Sequence, residues 1–458
     1  MTSSPAVRTF VRPGTLPSTP AAPRLRVHGN PGGTMTTIDP IPLDQVDLLD
    51  LDGFVAGRHH AMFATLRAED PVHWSDEPDG PGFWSVTKHD DLQVVNRDTG
   101  TYSSQVGGTQ LMDHDPDQAF DTRGVLLLDS DPPIHTRYRR LVNKGFTPRM
   151  IGMLDQHLHY RAELIVDDVI ERGECEFVTD LAAELPLQAI ADIMGVPQED
   201  RRLMFEWSNA MIGSQDPEYQ DPDNPDRPLQ AAAEIFAYSN NLAAQRRQDP
   251  RDDIVTTLLN AEIEGERLSE LEFDMFMLLL TVAGNETTRN ATSAGMWALL
   301  QHPEQFAKLA ANAEDEVYVS TAIDEILRWA TPVMHFRRTA TVDAEIRGRQ
   351  IRAGDKVLIW HISANRDEEV FDDPFVFDLE RRPNEHVAFG GGGAHYCLGA
   401  SLAKLELEII FSEVLTRMPD LRAAGPAEML RSNFIGGVKH LPVSFTPGRR
   451  KHAVGATA

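Results

Sequence analysis

The sequence predicts a mainly α-helical protein with small β-sheets. Two observations indicate this class. Strand-like alternation is confined to three short stretches, residues 73–86, 344–351 and 356–359. Apolar residues instead recur at helical spacing in eight segments: 59–69, 135–143, 150–171, 230–247, 271–300, 303–312, 320–329 and 400–417. No Gly/Ser/Pro-rich linker divides the middle of the 458-residue chain, so we expect one large domain.

We expect a flexible N-terminal segment over residues 1–40, a single domain over residues 41–447 and a C-terminal tail over residues 448–458. Residues 1–34 contain six prolines, four arginines and no acid, a composition typical of disorder. Met35 opens an acidic stretch and is an alternative natural start.

The net charge and the cysteine content exclude several classes of protein. A formal charge of -27 argues against nucleic-acid binding, which relies on Lys and Arg neutralising phosphates. The longest apolar run, near residues 275–283, is about half of the roughly 18 residues that a membrane span needs. The two cysteines form no disulfide framework and favour a reducing cytoplasm. We therefore expect a cytoplasmic protein that acts on an uncharged or cationic molecule.

The segment FGGGGAHYCLG, from Phe389 to Gly399, presents a single cysteine, Cys397, from a glycine-rich loop. Four consecutive glycines allow the backbone to curl tightly enough for a flat macrocycle to approach the sulfur. A helical pattern begins at Ala400, and a helix N-terminus favours the thiolate. Such a thiolate suits an iron porphyrin and oxygen activation. The alternative is a buried core cysteine after a turn; zinc is disfavoured because only one other cysteine exists.

The long helical pattern over residues 271–300 contains the unusual sequence Ala283-Gly-Asn-Glu-Thr287. The missing side chain of Gly284 would leave room for a diatomic ligand over a metal. Thr287 can return its hydroxyl to the carbonyl of Ala283, one helical turn earlier. Glu286 and Thr287 could then relay protons to oxygen that is being reduced. The alternative is that these are ordinary helix threonines and a surface glutamate.

Two further groups of residues would support a haem. Glu325 and Arg328 are three residues apart on one helix face among apolar neighbours, and Arg381 or Arg382 could complete a buried ion-pair network. Cations for the haem propionates would come from residues 131–140, from Arg338 and from His395. Taken singly, each of these groups is also typical of a solvated surface.

With these segments in this order, the chain resembles the cytochrome P450 family from about residue 40 to 447. The family's oxygen-activating pattern A-G-x-[DE]-T falls on residues 283–287, its E-x-x-R pattern on Glu325 and Arg328, and its cysteine-ligand loop ends at Cys397. The loop has eight steps from Phe389 to Cys397 where the usual form has seven. This extended loop and residues 283–290 resemble actinobacterial members that oxidise sterol side chains and branched lipids.

The resemblance implies the cytochrome P450 fold, with haem b between the long central helix and the cysteine loop. It implies that Cys397 is the iron ligand and that Glu286 and Thr287 are catalytic. Arg381 becomes the third member of the ion-pair network with Glu325 and Arg328. The residues implied to contact the haem are His135, Arg139, Ala283, Gly284, Arg338, Phe389, His395, Cys397 and Gly399, of which His135, Arg139, Arg338 and His395 would hold the propionates.

The function implied is a monooxygenase that hydroxylates an unactivated C–H bond of a lipophilic substrate, with a sterol or terpenoid side chain favoured. Ferredoxin and its reductase would supply electrons. The ferredoxin would dock at basic residues near the cysteine: Arg137, Arg140, Lys144, Arg149 and Lys404. Residues 109–128 would roof the substrate pocket, which would be lined by Leu279, Val282, Val333, Phe336, Phe434 and Ile435. The alternatives are a haem-thiolate peroxygenase, another oxidative conversion on the same fold, or a non-catalytic haem-binding sensor.

Overall fold

A computed structural model describes residues 38–78, 80–113, 121–212, 215–262 and 265–453. The α-helices are α1 Leu51–Val55, α2 His59–Glu69, α3 His89–Arg97, α4 Ile134–Val142, α5 Pro148–Ile170, α6 Glu184–Met194, α7 Arg201–Ile212, α8 Arg227–Gln248, α9 Ile254–Leu259, α10 Glu270–Gln301, α11 Pro303–Ala311, α12 Glu316–Ala330, α13 His361–Ala364 and α14 Ala400–Arg417. The strands are β1 Val72–Ser75, β2 Phe83–Val86, β3 Tyr102–Ser103, β4 Glu174–Glu176, β5 His335–Ala340, β6 Ala344–Ile346, β7 Arg349–Ile351, β8 Lys356–Trp360, β9 Arg422–Ala423, β10 Glu428–Met429, β11 Val438–His440 and β12 Pro442–Ser444.

The predicted fold class, mainly helical with small sheets, is confirmed. All eight segments with helical spacing form helices, and the bounds of α2 and α14 coincide with the prediction. Helices α1, α3, α6, α7, α9 and α13 were not predicted. In α6, residues 185–191 are all buried, so its sequence lacks the polar stripe that reveals a surface helix.

Helix α10 is the central element and spans 32 residues. It begins with a capping box, in which the Ser269 side chain accepts from the Glu272 backbone and the Glu272 side chain accepts from the Ser269 backbone. It packs against α6, α7, α8, α11, α12 and α14, and against the helical turn of residues 178–182. Because it is buried on most sides, the face of α10 that meets any given partner is decided by packing.

A five-stranded sheet with strand order β1-β2-β8-β5-β3 forms the second layer. Strand β5 pairs antiparallel with β8, with Phe336 opposite Ile359 and Arg338 opposite Val357. Residues two apart in a strand point to the same side of the sheet. Strand β5 therefore presents Phe336 and Arg338 together, and both line the cavity described below.

The C-terminal contacts of the domain extend past residue 447. Lys451 and His452 form ion pairs with Glu163 on α5, at 2.9 Å for Lys451 Nζ and 2.8 Å for His452 Nε2. Of the predicted flexible segment 1–40, residues 1–37 lie outside the described part of the chain, as do residues 454–458 of the predicted tail. Among the described helices, none has the length and apolarity needed to cross a membrane.

Candidate active site

A buried ion-pair network fixes the chain that leads into the cysteine loop. Arg328 Nε and Nη2 lie 2.7 and 2.8 Å from the carboxylate oxygens of Glu325, and both side chains are fully buried. Arg328 Nη1 also donates to the carbonyl oxygens of Asn365 and Pro374, at 2.8 and 2.9 Å. Arg381 Nε lies 3.2 Å from a Glu325 oxygen. The three predicted members therefore meet, and they tie α12 to residues 365–381.

The glycine run curls as its composition predicts. Gly390, Gly392 and Gly393 have φ values of +92°, +88° and +81°, in the left-handed region that favours glycine. A side chain at Gly393 would also meet the backbone of α3 at 2.9 Å. The backbone N–H of Cys397 donates to the carbonyl oxygen of Phe389 at 3.0 Å and closes the loop. The glycine run thus accommodates the eight-step spacing.

Cys397 lies deep in the protein, yet its side chain is accessible because it faces an internal cavity. Burial raises the pKa of its thiol above the ordinary value. The backbone N–H groups of Gly399 and Ala400 and the positive charge of Arg139 act in the opposite direction and favour the thiolate. A bound cation would overcome the effect of burial, since a coordinating thiol is deprotonated.

The cavity lies between the cysteine loop and α10. The nine residues predicted to contact a haem all line it: His135, Arg139, Ala283, Gly284, Arg338, Phe389, His395, Cys397 and Gly399. They come from α4, α10, β5 and the loop, so only the tertiary fold brings them together.

Four of these residues form a cluster of nitrogen groups: two arginines, Arg139 and Arg338, and two histidines, His135 and His395, whose pKa values burial lowers to about 4 and about 2, so that both rings are neutral. Arg338 is 1% exposed, and its Nη2 donates to the Asn96 side-chain oxygen at 2.7 Å. Arg338 Nε and His395 Nε2 are buried without a hydrogen-bond partner, and the rings of His135 and His395 lie 4.3 Å apart between centroids. Burial lowers the pKa of Arg338 to about 10. Free donors and unpaired positive charge are the arrangement that two haem propionates require.

Thr287 and its neighbours on α10 form the opposite wall. Leu279, Ala283, Thr287 and Ala291 recur every four residues and all line the cavity. Thr287 Oγ1 donates to the carbonyl oxygen of Ala283 at 2.8 Å, the bond that the helical spacing predicts. The hydroxyl oxygen of Thr287 thereby keeps its acceptor capacity for a partner in the cavity.

Gly284 has a packing role that the sequence did not reveal. A Cβ atom at this position would lie 2.4 Å from Cδ1 of Ile190 on α6. The missing side chain therefore makes room for Ile190 and permits the close approach of α6 to α10. Gly284 also lines the cavity, and the expectation that it leaves space for a diatomic ligand stays a prediction.

Glu286 does not line the cavity. Its carboxylate is 1% exposed, accepts a hydrogen bond from Ser208 Oγ at 2.7 Å, and forms an ion pair with Arg289. Arg289 Nη1 in turn donates to Asn209 on α7 at 2.8 Å. Residue 286 precedes the cavity-facing stripe by one position, about 100° around the helix, so Glu286 faces α7.

Three of the six residues predicted to form the substrate pocket line the cavity, namely Leu279, Val333 and Phe336. Phe434 lies behind Phe336, with 5.9 Å between the ring centroids. Ile435 pairs with Val333 across an isolated β-bridge and is buried. The late loop therefore forms a second layer, and Val282, one position before the stripe on α10, is not in the wall either. From the predicted roof, Leu127 and Leu128 line the cavity, and residues 114–120 lie outside the described residues.

Sequence reasoning missed five polar residues of the cavity wall: Asn96, Thr288, His361, Tyr396 and Glu406. His361 is 2% exposed, and its Nδ1 has no partner. Glu406 is buried, and burial raises the pKa of its carboxyl to about 8. Asn96 bridges Arg338 and the carbonyl of Gly392. Glu406 could have been found from the sequence, because an acidic residue one turn after a buried leucine interrupts the apolar stripe of α14. No feature of the sequence pointed to Asn96.

Two of the five predicted basic docking residues form ion pairs within the protein. Arg137 Nη1 lies 2.9 Å from a Glu272 oxygen, and Lys404 Nζ lies 2.5 Å from Asp324 Oδ1. Arg140 is exposed, and the side chains of Lys144 and Arg149 lie outside the described residues. Of this set, Arg140 is the one whose described side chain is open to a partner.

A helical fold that presents one cysteine to a cavity with a cationic rim defines the class of haem-thiolate proteins. The cytochrome P450 family model matches residues 204–418. The chain is 44% identical over 401 residues to a steroid C26-monooxygenase of Mycolicibacterium smegmatis, covering 86% of this chain and 92% of that protein. It is 40% identical over 430 residues to a methyl-branched lipid omega-hydroxylase of Mycobacterium tuberculosis, covering 92% and 98%.

Among solved structures, the chain resembles a Mycobacterium marinum cytochrome P450, CYP268A2, in complex with pseudoionone. The TM-score is 0.81 with 37% identity, over 88% of this chain and 99% of that one. The chain belongs to the cytochrome P450 family. It is a haem-dependent monooxygenase whose relatives act on steroids and lipids, and the predicted family, enzyme class and cofactor are confirmed.

Proposed function

We propose that this enzyme hydroxylates an unactivated C–H bond of a sterol or terpenoid side chain, with O2 and electrons from a ferredoxin, in the cytoplasm. The names of two relatives support this choice, because C26 is a steroid side-chain carbon and an omega-hydroxylase acts at a chain end. The structural neighbour with bound pseudoionone extends the support to terpenoid-like molecules.

The observation that carries the proposal is the apolar character of the cavity beside α10. The residues that α10 contributes from position 276 to 283 are Phe276, Leu279, Leu280 and Ala283, and all are apolar. Leu127 and Leu128 add to this surface from the loop before α4, and Val333 and Phe336 from the sheet side. This apolar part of the wall favours a hydrocarbon chain and excludes water. The position in which the chain is held then decides which of its C–H bonds is attacked.

We assign Cys397 as the iron ligand, and His135, Arg139, Arg338 and His395 as the propionate partners. The haem held in this way supplies the site at which dioxygen binds and is reduced. The protein's residues supply orientation and protons. Thr287 is the residue of the acid–alcohol pair that faces the cavity, and its Oγ1 can hold a water or a proton there.

Glu286 stands one step behind Thr287. Its carboxylate is held by Ser208 and Arg289, so it can pass a proton towards Oγ1 of Thr287 only when one of those contacts opens. We propose that Glu286 supplies protons from the α7 side and that Thr287 delivers them. Arg140 is the exposed basic side chain that we propose for ferredoxin contact.

A substrate panel tests the proposed class. The ferric enzyme is titrated with sterols, terpenoids and branched fatty acids, and the spin-state change of the Soret band is recorded. A macrolide and a planar aromatic compound serve as controls from outside the proposed substrate class. We expect spectral shifts with the first group and hydroxylation at a chain end. A shift seen only with the two control compounds would overturn the substrate assignment.

Turnover conditions separate the alternatives. With O2, ferredoxin, reductase and NAD(P)H, we expect product from the substrates that shift the spectrum. Product formed with hydrogen peroxide alone, at an equal rate, would indicate a peroxygenase. Reduced protein that binds CO but yields no product under either condition would indicate a sensor.

A further inference from the structure

The described part of the chain contains a second large cavity, a cleft of about 830 Å³. It lies between the C-terminal ends of α10 and α12, the start of α2 and the loop around residues 429–437. None of the residues lining it also lines the haem cavity. Its size lies within the range of roughly 300–1,000 Å³ that small-molecule sites occupy.

Arg366 forms part of the wall of this cleft. The residue is 2% exposed, and its Nη2 donates to the carbonyl oxygen of Trp329 at 2.8 Å. Its Nε and Nη1 are buried without a hydrogen-bond partner, and its guanidinium carbon lies 5.0 Å from the centroid of the Trp329 ring. A buried charge that lacks a partner is costly, so the molecule tolerates it only if something compensates it.

Arg366 differs from most of the other buried arginines in having no carboxylate partner among the described residues. Seven arginines are buried in the described part of the chain, and five of them form ion pairs with a carboxylate: Arg67, Arg246, Arg289, Arg328 and Arg337. The described residues provide no carboxylate at ion-pair distance for the other two, Arg338 and Arg366. Arg338 lines the haem cavity, where the propionates of the cofactor supply the missing anion. Arg366 lines the second cleft, and by the same reasoning an anion belongs there.

The surroundings of Arg366 increase the need for negative charge. Burial lowers its pKa well below the ordinary value, and the positive charges of Arg328 and Arg67 lower it further, while the carboxylate of Glu325 has a smaller effect in the opposite direction. His59, whose Nδ1 is also buried without a partner, contributes a second polar group to the wall. Burial and the positive charge of Arg366 lower the pKa of His59 to about 3, against the opposite effect of a hydrogen bond to the Phe54 backbone, so this ring is neutral. The acidic residue that lines the cleft, Glu304, is exposed and forms no described ion pair with Arg366.

The rest of the wall is mostly apolar and aromatic. It includes Phe54, Trp297, Trp329, Met334 and Ile362. Such a wall favours a hydrocarbon body over a small inorganic anion. Residues 1–34 of the chain contain no acid and four arginines, so this segment could not neutralise Arg366.

We propose that this cleft is a second ligand site, separate from the haem cavity, that binds an apolar molecule carrying one carboxylate. Arg366 holds the carboxylate through its two unpartnered nitrogens, and the aromatic residues cover the hydrocarbon body. The site stands independently of the substrate class proposed above, because no residue is shared between the two cavities.

Calorimetry on the full-length haem enzyme tests the proposal. The haem cavity is first saturated with an azole that coordinates the iron, and hexadecanoate is then titrated against hexadecan-1-ol as its neutral match. We expect hexadecanoate to bind at one site with the azole in place and the Soret band to stay unchanged. The alcohol should bind about 30-fold more weakly or worse, since truncating one partner of a buried charge pair has that cost.

Two variants locate the binding. Arg366→Gln should weaken hexadecanoate binding by the same factor, with Arg347→Gln, at an exposed arginine, as the matched control. Ala330→Trp fills the cleft from the end of α12 and leaves Arg366 in place, so it keeps the test decisive if Arg366→Gln does not fold. The proposal fails if the azole abolishes binding, if the alcohol binds as tightly as the acid, or if Ala330→Trp binds hexadecanoate like the wild type.

Discussion

The two walls of the haem cavity are built in different ways. The cysteine wall is one continuous segment, residues 389–399, closed by its own backbone hydrogen bond from Cys397 to Phe389. The helix wall is the cavity-facing stripe of α10, and its arrangement depends on other helices. Ile190 on α6 fills the space beside Gly284, and Ser208 on α7 holds Glu286.

The two walls should therefore respond differently to substitution. In the cysteine wall, function resides in a single atom whose position is set locally, so loss of that atom cannot be compensated elsewhere. In the helix wall, Gly284 and Glu286 contact partners that are distant in sequence, so a change on one side can be repaired on the other. Five predictions test this contrast.

Cys397→Ser should abolish the red-shifted absorption band of the ferrous–CO complex and all monooxygenase turnover, because the hydroxyl does not replace the thiolate as iron ligand. Difference spectroscopy measures the band. Cys175→Ser is the matched control, since Cys175 is a free cysteine on β4, and it should keep the band. The reverse result would show that the cysteine wall is misassigned.

Glu325→Gln removes the carboxylate that neutralises Arg328 and Arg381 and so loosens the chain that leads to the cysteine wall. Breaking a buried pair by removing one partner should cost about 3–5 kcal/mol in the free energy of unfolding. Urea titration followed by circular dichroism gives this value. The exposed Glu314→Gln is the control, and an equally small effect at both sites would contradict the anchoring role.

Thr287→Ala removes the hydroxyl that faces the cavity from the helix wall. Product formation should fall about 100-fold, the lower end of what general acid catalysis contributes, while NAD(P)H oxidation continues. The ratio of product to NAD(P)H consumed is the measurement. Thr287→Ser should retain the wild-type ratio, and a normal ratio in the alanine variant would exclude Thr287 from proton delivery.

Gly284→Ala places a Cβ atom against Ile190, and overpacking of this kind should cost about 1–3 kcal/mol of stability. Ile190→Ala opens the space, so the double variant should lose less stability than the sum of the two single variants. Thermal unfolding of all four proteins completes the cycle. If the stability losses of the two single variants were strictly additive, the helix wall would not depend on α6.

Glu406 gives a pH dependence of stability. Burial raises the pKa of its carboxyl from 4.5 to about 8, so between these values the folded protein binds a proton that the unfolded chain has released. The stabilisation from this group is therefore full below about pH 4.5 and is lost as the pH rises to about 8. Glu406→Gln should remove this decline, and Tm measured from pH 5 to pH 9 reports it. Parallel curves for the two proteins would contradict the buried, protonated acid.

Much of the cysteine wall could be predicted, because its chemistry is carried by adjacent residues. The left-handed glycines, the helix that starts at Ala400 and the sulfur between them follow from a stretch of consecutive residues. The bond from Thr287 to Ala283 was likewise predictable, since both residues lie on one helix at fixed spacing. The P450 motifs in their chain order identified the family.

The helix wall could be predicted only in part. The pattern of α10 indicated a helix, but a helix buried on most sides carries no polar stripe to show its orientation. Glu286 and Thr287 were therefore expected to act side by side, whereas Glu286 faces α7. The contact of Gly284 with Ile190 spans almost a hundred residues, and α6 itself was missed because it is apolar on nearly every side.

The amino-acid sequence was sufficient to predict the haem-thiolate class, the long central helix and nine of the residues that line the cavity. The packing of the folded chain determines which face of α10 lines the cavity, which side chain fills the space beside Gly284 and which buried arginines form an ion pair with a carboxylate. The physical reason is that backbone periodicity is a local property. The rotation of a buried helix and the pairing of a buried charge depend instead on neighbours brought together by packing across the whole chain.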